Sequence, residues 1–317
     1  MNDLTTILVA VDFSPGSRAA LEQAARIAGA TKASLHVVHV VDQTAVEALS
    51  ESHGTSFESQ ARISCEGAST ALDDWLAQSR VSANGGVTIL VGSPLHESLE
   101  HARKLNAGLL VAGIAGAGGS PAGAGSVSAK LARKAAPLVL MVRSDHPSPF
   151  RKIVACIDFS ETAEEVAEQA RRLALQDGAS VDFLHVWQDP WVALMYTAPF
   201  GDVAAPVMAA TPEQRAAYTD NLQRELHDFV HKAAQGIESQ EILHEAANYG
   251  DGIVEHGEKA GADLIIVGAK GRTNLSYVLL GSTAERLLTR LPCSLLVVKP
   301  AALGQERKIG FNDATPG

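Results

Sequence analysis

Short apolar runs alternate along this chain with longer stretches in which apolar positions follow a helical period. The runs are rich in Val, Ile and Leu on both alternations, which is typical of strands covered on both faces of a parallel sheet. Strands alternating with helices predict βαβ units and an α/β fold. The predicted strands lie near 6–12, 34–41, 87–91, 108–112, 138–142, 152–158, 180–187, 241–247, 263–267 and 294–298.

The pattern occurs twice. Residues 7–14 and 153–160 both end in Asp-Phe-Ser, so that Asp12 corresponds to Asp158 at a separation of 146 positions. The run at 34–40 recurs at 180–186 with the same separation, and 109–113 recurs as 264–268. A repeat of about 150 residues is the size of a domain. The sequence therefore predicts two tandem copies of a five-stranded parallel open sheet with helices on both faces.

The domain boundaries follow from this repeat. We predict a first domain over 1–143, a polar linker over 144–150, a second domain over 151–300 and a tail over 301–317. The linker is short, so the copies are expected to pack side by side as a pseudo-dimer about a pseudo-twofold axis.

Helices are predicted to follow the first strand of each copy, over 15–29 and 161–177. Ser14 is the expected N-cap of the first of these helices, and Gly29 and Gly178 are the expected helix stops. The region 187–215 interrupts the pattern as an insertion with Pro and aromatic residues. Either a lid, a partner surface or a packed long loop fits it.

Composition limits the functions to consider. The net charge of −10 gives no electrostatic support for binding nucleic acid or an anionic membrane. The three cysteines have no CxxC spacing, which fits a reducing compartment. Neither a secretory signal nor an apolar run long enough for a membrane helix is evident. We therefore expect a cytoplasmic protein.

The clearest candidate chemistry lies near the end of the second copy. A strand-like run ends at Gly268, and Gly271 and then Gly281-Ser282-Thr283 follow before a helical pattern. Glycines let backbone amides approach an anion, and hydroxyls at a helix N-terminus favour phosphate. Lys270 and Arg272 add positive charge nearby, or are merely surface charges. The chain has neither a Walker sequence nor a complete GxGxxG pattern.

These motifs resemble the universal stress protein family in its tandem two-domain form. The resemblance rests on Gly268-x2-Gly271-x9-Gly281-Ser282-Thr283, on the strand ending at Asp158 and on Leu184-His185-Val186, and it spans about 300 residues. It implies a Rossmann-like fold, similar to adenine nucleotide alpha hydrolases, that binds ATP with or without Mg²⁺. Because the last strand forms the dimer edge in that family, the runs at 138–142 and 294–298 are expected to meet across the pseudo-twofold axis. Asp158 and Val186 would then contact the nucleoside, and the glycines with Ser282 and Thr283 would hold the phosphates.

The first copy departs from this pattern. The matching positions are Asp12, Val40, Gly113, Gly116, Gly125 and Ser126. Its glycine loop is shorter and contains no basic residue, and Val127 replaces the threonine. Because a flexible loop must be ordered before it grips phosphate, we expect weaker nucleotide binding or none in this copy.

Other titratable residues have a simpler interpretation. His39 and His185 fit satisfied structural histidines, His227 and His231 fit a solvated helix face, and Cys156 fits a buried strand cysteine. No catalytic or metal-binding residues are predicted.

Three functions stay open. The leading hypothesis is an ATP-binding regulatory protein of the stress response, with nucleotide mainly in the second domain. The alternatives are a slow ATPase or nucleotidyl-handling enzyme, and an interaction module with vestigial pockets. A homodimer of tandem chains is compatible with each of them.

Overall fold

The computed structural model describes residues 4–114, 124–135, 138–144, 149–192, 210–269 and 280–299. Its strands are β1 (Thr6–Val11), β2 (Ser34–Asp42), β3 (Gly86–Gly92), β4 (Leu109–Gly113), β5 (Leu138–Val142), β6 (Lys152–Cys156), β7 (Ser180–Trp187), β8 (Ser239–Glu245), β9 (Leu264–Gly268) and β10 (Ser294–Val298). Its helices are α1 (Pro15–Thr31), α2 (Gln43–His53), α3 (Phe57–Ser79), α4 (Pro94–Lys104), α5 (Ser126–Lys134), α6 (Glu161–Asp177), α7 (Pro212–Ala233), α8 (Tyr249–Ala260) and α9 (Ser282–Thr289).

The described strands form one ten-stranded sheet in the order β3-β2-β1-β4-β5-β10-β9-β6-β7-β8. Each half is parallel, and the halves join where β5 pairs antiparallel with β10. The predicted meeting of 138–142 with 294–298 is therefore confirmed, as is the α/β fold of two tandem parallel half-sheets. Because strand order reverses between β1 and β4, and again between β6 and β9, each half has a topological switch point.

The predicted strands are present, with ends that differ by at most two residues from those expected. Gly178 ends α6 in the left-handed conformation, as predicted. The predicted stop at Gly29 is wrong, because α1 continues to Thr31 and its left-handed C-cap is Lys32. Nothing at Gly29 requires a positive φ, so the helix passes through it.

Helices cover both faces of the sheet and enclose two apolar cores. Buried side chains of α1, α3, α6 and α7 pack against one face, and those of α4, α5, α8 and α9 against the other. Both cores run through the two halves: one contains Ile7 with Ile153, and the other contains Leu8 with Val154. Burial on both faces explains why the central strands β4, β5, β9 and β10 are apolar at almost every position.

Charged side chains connect the two halves of the chain near the β5–β10 pair. Arg133 of α5 makes a bidentate ion pair with Glu285 of α9, at 2.6 and 2.7 Å. Arg26 of α1 pairs with Asp177 at the end of α6, and Asp177 also accepts the Phe150 amide at 2.9 Å. The buried Lys299 ammonium donates to the carbonyl oxygens of Arg133 and Ala135 at the end of α5.

Some predicted segments lie outside the described residues, namely the tail 301–317, the middle of the insertion (193–209) and most of both glycine loops (115–123 and 270–279). The ends of the insertion belong to regular elements, since β7 ends at Trp187 and α7 begins at Pro212. In the part of the chain that is described, every helix is too short or too polar to cross a membrane.

Candidate functional site

The candidate sites lie where β1 and β6 end, at the two switch points of the sheet. Open α/β sheets bind ligands outside the carboxyl ends of their strands at this position. In each copy the strand leads into Asp-Phe-Ser and then a helix, so that Asp12 and Asp158 come to the carboxyl edge of the sheet.

The phenylalanine of each Asp-Phe-Ser turn has a left-handed backbone. Its φ is 63° at Phe13 and 57° at Phe159, which is uncommon for a bulky residue and costs about 1–3 kcal/mol. Ring packing offsets this cost: the rings of Phe13 and His39 lie 4.6 Å apart, as do those of Phe159 and His185. The strained turn aims the preceding aspartate at the edge of the sheet.

The two histidines have the structural role that was predicted. Nδ1 of His39 donates to the carbonyl oxygen of Val11 at 2.9 Å, and Nδ1 of His185 donates to that of Ile157 at 2.7 Å. Each ring therefore joins the second strand of its copy to the end of the first, and supports the phenylalanine of the turn.

The two aspartates are held by different hydroxyls. Asp12 accepts from the hydroxyl of Ser17 and from the Ser14 amide at 3.1 Å, while Ser14 caps α1 by accepting from the Ser17 amide at 3.1 Å. Asp158 accepts instead from both the hydroxyl and the amide of Ser160, at 2.6 and 3.0 Å. Ser160 makes no capping bond to α6. Ser160 of the second copy thus positions Asp158 and does not cap α6.

The start of α9 lies beside the end of β9. The Gly281 amide donates to the Ala269 carbonyl oxygen at 2.9 Å, directly after Gly268, the last residue of the strand. Gly281 is the N-cap of α9 and, as a glycine, has no side chain with which to cap the helix, while Ser282 and Thr283 occupy its first two positions. Lys270, Gly271 and Arg272 lie outside the described residues.

Val186 lies on β7 next to the start of α8. A Cβ atom on Gly252 of α8 would come within 2.8 Å of Val186 Cγ1 and 2.7 Å of Ala246 Cβ. The glycine therefore lets the helix approach the strand closely, and this contact sets the position of the Val186 side chain.

A cavity of about 440 Å³ occupies the corresponding place in the first copy. Its lining includes Asp12, Val40, Gly113, Gly125 and Ser126. The structure thus gathers five of the six residues predicted for this copy, and the sixth, Gly116, lies outside the described residues. A cavity of this size is within the usual range for small-molecule sites.

Sequence reasoning missed three buried serines that line this cavity: Ser17, Ser98 and Ser128. The Ser128 hydroxyl donates to the Gly113 carbonyl oxygen at 2.6 Å. The sequence carries no motif for them, because they come from three different helices. Their roles emerge only when each helix is compared, position by position, with its counterpart.

Cys156, predicted to be buried, lies at the end of β6 and is only partly buried. Burial raises the pKa of the Cys156 thiol, which keeps it protonated and unreactive at neutral pH. His227 is largely exposed, and its Nδ1 lies 2.9 Å from Glu241 Oε1. Its ring lies 6.2 Å from that of His231.

Together these features define a class: a tandem α/β protein with a switch point in each half-sheet and a ligand-sized cavity at the first of them. The family model described as "Universal stress protein family" matches residues 4–143 and 149–299. The chain therefore belongs to the universal stress protein family.

Curated relatives match about half of the chain. Universal stress protein MJ0531 of Methanocaldococcus jannaschii is 29% identical over 47% of this chain and 82% of its own length. Universal stress protein A homolog 1 of Coxiella burnetii is 30% identical over 47% of this chain and 96% of its own.

Solved structures match nearly the whole chain. A functionally unknown protein, PA1789 from Pseudomonas aeruginosa PAO1, is 19% identical, with a TM-score of 0.65 over 95% of this chain and 94% of its own. A universal stress protein from Archaeoglobus fulgidus is 17% identical, with a TM-score of 0.60 over 93% and 98%. At these identities the likeness concerns the fold, which in both cases extends over the two halves.

Proposed function

We propose that this chain is an ATP-binding regulatory protein of the stress response that holds nucleotide mainly in its second domain. One observation carries the proposal: α9 begins beside the end of β9 at Gly281, a cap residue without a side chain, with Ser282 and Thr283 in its first turn. Free amides at a helix N-terminus, together with hydroxyls and the helix dipole, favour a phosphate group.

The nucleoside would lie on the other side of the switch point. Asp158 ends the first strand of the second copy and is held by Ser160, while Val186 is set by its contact with Gly252. A carboxylate at this edge suits the hydroxyls of a ribose, and the valine gives an apolar wall for a base. Lys270 and Arg272, between β9 and α9 in the sequence, would add charge for the phosphates, with or without Mg²⁺.

Replacing Gly281 tests the phosphate assignment. Gly281→Val places a branched side chain at the start of α9, and we expect it to reduce ATP affinity tenfold to a hundredfold, about 1.5–3 kcal/mol, with little loss of fold. Gly67→Val is the matched control, because Gly67 is exposed in α3 and has open space around it. Calorimetric titration with ATP measures both variants. Undiminished ATP binding by Gly281→Val would show that the turn is wrongly assigned.

The alternatives have their own tests. Mass spectrometry of the small molecule released when the purified protein is denatured would count against the interaction module if it finds a nucleotide. ATP turnover that vanishes in Asp158→Ala, while ATP binding persists, would favour the enzyme. The proposal includes a first domain that ends at residue 143, a second domain that begins at residue 151, and a cytoplasmic location.

A further inference from the structure

Three of the positions at which the two sites differ lie at the same place in corresponding helices and carry a hydroxyl only in the first copy. Ser17 is the third residue of α1, and Ala163 is the third of α6. Ser98 is the fifth residue of α4, and Ile253 is the fifth of α8. Ser128 is the third residue of α5, and Ala284 is the third of α9. At these three positions the first copy has a hydroxyl where the second has a hydrocarbon, while Val127 and Thr283, the second residues of α5 and α9, show the reverse.

These hydroxyls line the first-copy cavity, and those of Ser17 and Ser128 are held by hydrogen bonds within the protein. The three serines are 3%, 4% and 8% exposed, and all line the cavity of the first copy. Ser17 holds the Asp12 carboxylate, and Ser128 holds the end of β4 through the Gly113 carbonyl oxygen. Gly113 itself cannot be larger, since a Cβ there would lie 2.6 Å from the Gly16 carbonyl carbon. The polar wall is therefore held in position by its own hydrogen bonds.

The charge of the two sites also differs. Among the described residues that line the first-copy cavity, Asp12 is charged and none is Lys or Arg. The glycine loop over 115–123 contains no basic residue in the sequence, whereas the corresponding loop of the second copy contains Lys270 and Arg272. The start of α5, with Gly125 as N-cap and no side-chain capping bond, offers its amides to one anionic group. Each further phosphate would add negative charge near Asp12 without a cation to balance it.

We infer that the first-copy cavity binds an adenine nucleoside carrying at most one phosphate, so that the chain holds two different ligands at once. This inference rests on the proposed function, since it takes the ligand class from the second site. The Asp12 carboxylate matches the hydroxyls of a ribose, the serines make the adjoining wall polar, and one helix N-terminus matches a single phosphate.

Calorimetry with AMP and ATP separates the two sites. In the Gly281→Val variant, AMP is expected to bind one site per chain at least tenfold more tightly than ATP. In the unaltered chain saturated with ATP, labelled AMP should still bind at one per chain, which tests the inference even where Gly281→Val fails to fold. The inference is overturned if ATP binds the variant as tightly as AMP, or if AMP fails to bind the ATP-saturated chain.

Two further experiments test whether AMP binds in the first-copy cavity and whether charge repulsion is the reason that ATP binds there less tightly. Asp12→Asn removes the charge that repels further phosphates, and it should narrow the gap between AMP and ATP severalfold, while Asp73→Asn, at an exposed position of α3, should leave the gap unchanged. Raising the salt concentration should narrow the gap between AMP and ATP, because the repulsion is screened. Equal effects of the two substitutions, or a gap that salt does not alter, would contradict the inference. Failure of ATP to bind the unaltered chain would overturn the proposed function instead, and would leave the AMP result in Gly281→Val standing.

Discussion

Ser14 and Ser160 occupy the same position in the two copies but bond differently. Ser14 accepts the Ser17 amide and caps α1, while a second serine, Ser17, holds Asp12. Residue 163 of the second copy is alanine, so Ser160 turns its hydroxyl to Asp158 and leaves α6 without a side-chain cap. The difference between Ser17 and Ala163 thus leaves α6 without a cap, while Ser160 positions Asp158.

The matched pair Ser14→Ala and Ser160→Ala tests this exchange. Ser14→Ala removes a capping bond and is expected to cost about 1 kcal/mol in free energy of unfolding. Ser160→Ala should cost less than half of that, yet weaken ATP binding severalfold because Asp158 loses its hydroxyl partner. Urea titration and calorimetry measure the two quantities. Equal losses of stability would contradict the different roles of the two serines.

At the scale of elements, close approaches decide which glycines matter. Gly113 ends β4 against the first turn of α1, where a Cβ would lie 2.6 Å from the carbonyl carbon of Gly16. Gly29 lies within α1 with open space around it and an ordinary helical backbone. The same residue type is therefore required at one position and dispensable at the other.

Replacing each of these glycines with alanine should give opposite results. Gly113→Ala forces β4 and α1 apart and is expected to destabilise the chain by about 1–3 kcal/mol. Gly29→Ala reduces the freedom of the unfolded chain and should stabilise it by about 0.5–1 kcal/mol. Thermal unfolding of both variants is the measurement. A neutral Gly113→Ala would mean that the helix and strand are farther apart than described.

At the scale of the whole molecule, the two halves share one sheet and two apolar cores. The β5–β10 pair carries the sheet across the pseudo-twofold axis, and Lys299 follows β10 to reach the end of α5 in the other half. Lys299 is 6% exposed, and its ammonium group donates to two carbonyl oxygens. Those oxygens favour the protonated amine, but burial prevails and lowers the pKa of Lys299 to about 8.

This lowered pKa predicts a pH dependence of stability. Between pH 8 and the ordinary value of 10.5, the unfolded chain binds the Lys299 proton more tightly than the folded chain, so stability rises with pH. Relative to Lys299→Met, the unaltered chain should gain about 2 kcal/mol between about pH 8 and pH 10. Urea unfolding of both proteins at the two pH values measures the difference. A constant difference would show that Lys299 keeps its ordinary pKa.

The sequence by itself determined the repeat, the α/β class and the strand positions to within two residues, because apolar period and turn residues are local signals. The resemblance to the family predicted that the terminal strands meet and pointed to Asp12, Val40, Gly113, Gly125 and Ser126, which the structure gathers around one cavity. These residues follow strand ends or open helices, and the topology brings such positions to one edge.

Only the tertiary structure decided the rest. Ser17, Ser98 and Ser128 meet at one cavity although they come from three helices, and no local pattern relates them. The left-handed turn at Phe159 packs against His185, which is distant in the sequence. Helix α1 continues through Gly29 because nothing in the structure requires a positive φ there. Contacts between distant segments set these features, so the physical reason is that packing, rather than local preference, supplies their energy.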